Sequence, residues 1–94
     1  MIILRIEHKV PKFDGWKKAF DGDPIDRKKS GVLGFKIFKP VDDLNYVIID
    51  LEFESINDAE TVLSALHKLW GNVDGKIIFN PQTRILNVVE TDKY

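Results

Sequence analysis

The order in which strand-like and helix-like hydrophobic patterns follow one another is the feature that most constrains this chain. Residues 2–9 alternate between the two faces of an extended segment, which predicts a β-strand. Residues 13–30 change to helical spacing, and Gly22 and Pro24 predict a break or kink inside this helical layer. The further predicted elements are strands at 33–40 and 46–54, a helix at 56–70 and a last strand at 83–90.

Turn-forming residues mark the expected ends of these elements. Residues 42–45 contain two aspartates and an asparagine, which predict a tight turn between the second and third strands. Gly71 is expected to end the second helix, and Asn80–Pro81 is expected to form a turn before the last strand. Residues 76–79 favour a short additional strand.

The resulting β-α-β-β-α-β order is that of the split βαβ or ferredoxin-like fold, of the α+β class. Because crossover connections are right-handed, both helices are expected on one face of a four-stranded antiparallel sheet. The strands at 2–9 and 46–54 should be the two central ones. A length of 94 residues suits a single domain that spans residues 1–94.

Composition excludes several classes of function. Fourteen basic against fifteen acidic residues give a net charge of −1, whereas nucleic-acid-binding domains usually carry a basic excess. The chain has no cysteine, which excludes disulfides, thiolate metal sites and a cysteine nucleophile. Its N-terminal segment lacks the pattern of a signal peptide and no apolar run could span a membrane, so we expect a cytoplasmic protein. Without a metal or nucleotide motif, we expect neither a metal nor a cofactor.

The sheet face without helices carries enough apolar side chains to predict self-association. Its expected apolar members are Ile3, Ile48, Leu86, Val88 and either Phe38 or a neighbour. Soluble monomers rarely expose a large contiguous apolar patch, and a solvated sheet face would be more polar than this one. We therefore predict a homodimer with two-fold symmetry, in which two such sheets pack face to face.

The same open face should carry a charged set made of Arg5, Glu7, Asp50 and Glu52. If a dimer buries this set, one arginine faces three carboxylates, and at least one acid would titrate high enough to act as a general base. The alternative is a solvated rim of cross-strand ion pairs, each contributing about 0.2–1 kcal/mol.

Two stretches in the first half of the chain resemble a known group of proteins. The first is His8-Lys9-Val10, followed by Phe13-Asp14-x-Trp16 and Phe20. The second runs from Arg27 through Ser30-Gly31-Val32-x-Gly34-Phe35 to Asp42-Asp43-x-Asn45-x-Val47. They are similar to small cyclase-like members of the dimeric α/β-barrel superfamily, which includes the antibiotic biosynthesis monooxygenases. The second half of the chain matches this group only by its order of helix and strand.

The resemblance implies a homodimer with a pocket between the sheet and the helices of each subunit. In some relatives that pocket hosts cofactor-free oxidation of polycyclic aromatic molecules, and in others haem degradation, isomerisation or ligand binding. The fold does not select among these activities. The haem-degrading relatives use an asparagine, a tryptophan and a histidine, and the first strand here contains no asparagine, so haem degradation is not expected.

His8 is the candidate catalytic residue, because a partly buried imidazole near the first helix can transfer a proton near neutral pH. The alternative is a histidine at the edge of the core that bonds a backbone carbonyl. Trp16 and Phe20 are candidate walls for a flat apolar ligand, although aromatic residues at helical spacing usually belong to the core. His67 and Trp70 lie one helical turn apart and are further candidate substrate-binding residues, with a boundary position as the alternative.

Two main hypotheses follow, and haem binding, which would appear as a Soret band on titration with hemin, is a third possibility. In the first, the protein binds a small hydrophobic or aromatic molecule and acts as a cofactor-independent monooxygenase or isomerase, with His8 handling the proton. In the second, it is a non-catalytic ligand-binding or dimerisation module. Neither hypothesis involves nucleic acid or a membrane as partner.

Overall fold

A computed structural model describes residues 1–73 and 78–94 of the chain. The described residues form four strands and two helices in the predicted order. The strands are β1 (Ile2–Lys9), β2 (Gly34–Phe38), β3 (Tyr46–Phe53) and β4 (Phe79–Asn87), and the helices are α1 (Phe13–Asp21) and α2 (Ile56–Val73). None of the helices in this part of the chain is long and apolar enough to cross a membrane.

The four strands form one antiparallel sheet in the order β2-β3-β1-β4. Leu4 of β1 pairs with Leu51 of β3 on one side and with Ile85 of β4 on the other. The ferredoxin-like α+β prediction and the two central strands are therefore confirmed.

Strand alternation places one set of apolar side chains beneath the helices. Leu4 and Ile6 of β1 and Val47 and Phe53 of β3 are buried on this face. The helix α2 packs an apolar stripe against them, and the most buried residues of this stripe are Ala59, Val62 and Trp70. Ser55 caps the N-terminus of this helix, since its Oγ accepts a hydrogen bond of 3.1 Å from the backbone N–H of Asp58.

The helical layer predicted for residues 13–30 is helical only up to Asp21. Asp23 and Asp26 have positive φ angles of 51°, which interrupts a right-handed helix twice. The Oδ1 atom of Asp23 also accepts the N–H of Arg27 at 2.9 Å, so a side chain replaces the helical acceptor. The prediction of helix after Pro24 was wrong, and the segment from Pro24 to Gly31 is a series of turns.

The second helix was predicted to end at Gly71, but it continues to Val73. A glycine inside a helix costs about 1 kcal/mol relative to alanine. An already formed helix gains one backbone hydrogen bond for each residue that is added, so a single glycine can be passed at this small cost.

The last strand is displaced from its predicted bounds of 83–90. The Asn80–Pro81 pair lies inside β4 and not in a turn. The two residues form a β-bulge, at which the pairing with β1 shifts between Glu7 and Lys9 and Asn80 adopts a φ of 49°. An edge strand tolerates a proline there. The strand ends at Asn87, since that residue pairs with Ile2, where β1 begins. Of the predicted strand at 76–79, residues 76 and 77 lie outside the described residues, while Phe79 belongs to β4.

The opposite face of the sheet bears no helix and has the predicted apolar residues. Ile3, Ile48 and Leu86 are half-buried on this open face. The apolar residue that β2 contributes to it is Phe38, which pairs with Ile48 and is 40% exposed. Val88 follows β4, and its N–H donates to the carbonyl of Met1.

The charges on the open face are better balanced than predicted. Lys36, Asp50, Arg5 and Arg84 form one row across the four strands, since each pairs with the next. The two central strands do place Arg5, Glu7, Asp50 and Glu52 on this face, and periodicity did not show that the edge strands β2 and β4 each bring a further cation into the row. The set also has a defined geometry, in which Arg5 donates two hydrogen bonds of 2.8 Å to the two carboxylate oxygens of Asp50.

Candidate functional site

A cavity of about 360 Å³ lies between the sheet and the helical layer. The sheet contributes Ile6, Ile49 and Leu51 to its floor, and α2 contributes Leu66 and Trp70. Its volume is at the small end of the range of roughly 300–1,000 Å³ found for small-molecule sites. The walls are mainly apolar, so the cavity suits a small hydrophobic molecule.

His8 lies at a buried position of the cavity wall and is only 2% exposed. Alternation along β1 directs its side chain to the same face as Ile6, beneath the helices. Its Nδ1 atom lies 3.2 Å from the carbonyl oxygen of Lys9. Because a carbonyl only accepts, this contact is a hydrogen bond in the tautomer that carries the proton on Nδ1. This location is compatible with proton transfer to a ligand. It is equally compatible with the alternative, a core histidine that bonds a backbone carbonyl.

The first helix supplies a row of aromatic rings that begins next to His8. The ring of Trp16 lies edge-on to His8 at 6.1 Å between centroids, and Phe20 follows at 5.2 Å from Trp16. Phe35 of β2 extends the row, at 5.0 Å from Phe20. Residues 16 and 20 are one helical turn apart, so both project toward the same wall. Both predicted wall residues line the cavity, and Trp16 is at the same time part of the core.

Arg27 is a lining residue that the sequence reasoning missed. Its guanidinium carbon lies 3.9 Å from the centroid of the Phe20 ring and 5.2 Å from that of Phe35, and its Nη1 donates to the carbonyl oxygen of Phe20 at 2.8 Å. The sequence analysis placed Arg27 inside the helical layer predicted for residues 13–30. Its approach to α1 depends on the turns at Asp23 and Asp26, and no residue pattern signals that return.

The structure separates the two candidates on α2. Trp70 is buried and lines the cavity, whereas His67 is exposed and does not. Their rings lie 5.6 Å apart, as predicted for residues three apart on a helix. His67 therefore contacts Trp70 from the solvent side.

The titratable groups on the open face are shifted by specific partners. The hydroxyl of Tyr46 donates a 2.7 Å hydrogen bond to Oε1 of Glu7, which raises the pKa of Tyr46 to about 12. The hydrogen bonds to Asp50 raise the pKa of the Arg5 guanidinium, in opposition to the smaller effect of its burial. These groups lie across the sheet from the cavity, so they do not contact a molecule bound there.

Among residues 1–73 and 78–94, no group of three or more histidine, aspartate or glutamate side chains is arranged to hold a metal ion. No protein-family model matches the chain, and a search of curated proteins finds no relative.

Solved structures do match, over nearly the whole chain. A candidate antibiotic biosynthesis monooxygenase from Deinococcus radiodurans superposes with a TM-score of 0.73, covering 100% of this chain and 98% of that one at 9% identity. This chain has the fold of the antibiotic biosynthesis monooxygenase-like proteins. The predicted resemblance is thereby confirmed at the level of the fold.

Two further matches share this fold but are not antibiotic biosynthesis monooxygenases by name. The haem degrader MhuD from Mycobacterium tuberculosis, solved with two haems in its active site, matches with a TM-score of 0.69 at 18% identity, covering 97% of this chain and 99% of that one. A dimeric ferredoxin-like protein from an uncultured marine organism matches with a TM-score of 0.66 at 13% identity, covering 97% of each chain.

Proposed function

We propose that this protein is a homodimer that binds a small hydrophobic or aromatic molecule in the cavity of each subunit and acts on it without a cofactor. The observation that carries the proposal is the placement of His8, a buried acid–base group in a mainly apolar, aromatic-walled cavity. The fold shared with candidate antibiotic biosynthesis monooxygenases supports it.

In the proposed chemistry, the imidazole of His8 removes a proton from a hydroxyl or activated carbon of the bound molecule. In an isomerisation that proton returns to another atom, with no net redox change. In a cofactor-independent oxygenation the ligand anion itself supplies the electrons to dioxygen. One oxygen atom then enters the product as a carbonyl and the other leaves as water. The rate would come from positioning and from a desolvated base.

Ligand binding is tested by filling the cavity. Leu66→Phe places a larger side chain in the lining, and the matched control Ala65→Phe places the same side chain on the exposed side of the same helix. We expect the affinity for a neutral aromatic probe such as naphthamide, measured by calorimetry, to fall in the first variant only. Equal affinity in all three proteins would contradict binding in this cavity.

Catalysis is tested with His8→Ala once native mass spectrometry of the freshly purified protein has identified a retained ligand. We expect turnover to be lost while ligand binding persists, because the aromatic and aliphatic residues that supply most of the cavity wall are retained. Unchanged turnover would reject the role of His8 and favour a non-catalytic binding module.

Dimerisation is proposed through the open face, where Ile48 and Phe38 adjoin. The match to proteins described as dimeric supports it. Ile48→Glu should convert a dimer into a monomer in light scattering, because it introduces a charge into a desolvated interface. The control Val41→Glu makes the same type of change in a fully exposed turn and should leave the mass unchanged. A wild-type monomer at micromolar concentration would contradict the proposal.

A further inference from the structure

We infer that the ligand of this cavity is a planar aromatic molecule bearing a carboxylate, and that Arg27 binds this carboxylate. The inference rests on the proposed binding function and names the ligand class of the same site. It comes from the charge, hydrogen bonding and position of one arginine.

Arg27 is the one permanently charged residue among the described residues that line the cavity. Its side chain is only 18% exposed, and a charge in apolar surroundings is costly unless it is paired. The nearest carboxylate oxygen, Oδ1 of Asp23, lies 3.5 Å from Nη1, and that aspartate is 36% exposed. Such a long and solvated ion pair compensates the guanidinium only weakly.

The guanidinium also keeps unused donors. Its Nη1 atom makes the contacts to the Phe20 carbonyl and to Asp23, whereas Nε and Nη2 have no hydrogen-bond acceptor within residues 1–73 and 78–94. Every fully buried side-chain nitrogen and oxygen in that part of the chain has a hydrogen-bond partner. Since Nε and Nη2 have none, they are not fully buried and border open space. Adjacent Nε–H and Nη2–H groups form the fork that matches both oxygens of a carboxylate.

The position of Arg27 defines the shape of a suitable ligand. The aromatic row passes from His8 through Trp16 and Phe20 to Phe35, and exposure rises along it from 2% at His8 to 48% at Phe35. Arg27 stacks at the outer end of this row, and His8 lies at the inner end. A ligand bridging them has flat rings against the aromatic wall and an anionic group directed outward.

The volume sets the size of that ligand. A cavity of about 360 Å³ is at the small end of the range of roughly 300–1,000 Å³ found for small-molecule sites. It suits a ligand of about two fused aromatic rings with one carboxylate. Naphthoate is therefore a suitable probe, and naphthamide is its neutral counterpart.

Calorimetric titration of both probes into the wild-type protein tests the inference. We expect naphthoate to bind about tenfold more tightly than naphthamide, the factor given by one charge-assisted hydrogen bond. Arg27→Gln should abolish this preference, so that the two probes bind this variant equally, whereas Arg27→Lys should retain part of it. Arg84→Gln removes a cation from the open face and should change neither affinity, and circular dichroism checks that each variant is folded.

The outcomes separate this inference from the proposed function. Equal binding of both probes to the wild-type protein, with Leu66→Phe weakening both, would overturn the carboxylate inference and leave cavity binding intact. A preference for naphthoate that persists in Arg27→Gln would also overturn it. Binding of neither probe would refute both proposals.

Titration with hemin distinguishes the source of the carboxylate, because a porphyrin also carries such groups. A Soret shift at lower concentration than naphthoate requires, and weakened in Arg27→Gln, would support the inference with a porphyrin as ligand. Hemin binding that does not depend on Arg27 would count against it.

Discussion

Replacing Gly31 with alanine should destabilise the protein, because this glycine closes the turn segment that carries Arg27. Gly31 has a φ of +94°, which L-residues rarely adopt, and its N–H donates to the carbonyl of Lys28. A Cβ at this position would lie 3.3 Å from Cγ and Oδ2 of Asp58, closer than ordinary contact.

The magnitude follows from three contributions. A left-handed backbone costs a residue with a Cβ about 1–2 kcal/mol, and the close approach to Asp58 adds to this cost. The lower entropy of the unfolded alanine chain offsets about 0.4–1 kcal/mol. The net loss in the free energy of unfolding is therefore about 1–2 kcal/mol.

Gly15→Ala is the matched control, because Gly15 lies in α1 and no atom comes within 4 Å of its added Cβ. Alanine there should stabilise the helix by about 0.5–1 kcal/mol. The two variants should then differ by about 2 kcal/mol, which corresponds to roughly 10 °C in Tm for a domain of this size.

Urea unfolding followed by tryptophan fluorescence measures both variants, at one protein concentration because a dimer makes stability concentration-dependent. Gly31→Ala should also weaken naphthoate binding, since the N–H of Val32 bonds the carbonyl of Arg27 at 2.9 Å and the turn would shift. A Gly31→Ala protein as stable as the wild type would refute the reasoning.

Two further predictions concern the open face. Glu7→Gln should lower the pKa of Tyr46 from about 12 toward its usual 10, measured by tyrosinate absorbance in a Tyr94→Phe background, and an unchanged pKa would contradict the hydrogen-bond assignment. Since the protonated phenol is the donor, the stability from this bond is fully present below pH 10 and is lost as the pH rises through about 12. Asp50→Asn should cost about 1–2 kcal/mol, less than a fully buried pair, because the side chain of Arg5 is 43% exposed. A double-mutant cycle with Arg5→Met isolates the coupling, and a value near zero would refute this pairing.

Much of the fold was predictable because its signals are local. Alternation along β1 placed His8 beneath the helices, and helical spacing placed Trp16 beside Phe20, before any tertiary contact was known. These assignments depend only on the geometry of the backbone and on which face must be buried.

The errors occurred where local stop signals competed with the elements around them. Gly71 is a sound stop signal by itself, yet the helix already formed before it continues to Val73. Asn80–Pro81 is a sound turn signal, yet these residues form a bulge within β4, because the strand on either side of them pairs with β1.

The sequence by itself determined the order of elements, the face on which each strand buries its apolar residues, and the candidate histidine. Only the tertiary structure decided that Arg27 returns to stack on Phe20, that His67 remains outside the cavity, and that Lys36 and Arg84 join the charged row. The physical reason is the range of the interactions. Periodicity is fixed by neighbouring residues, whereas strand register and the path of a turn segment are fixed by contacts between residues distant in the chain.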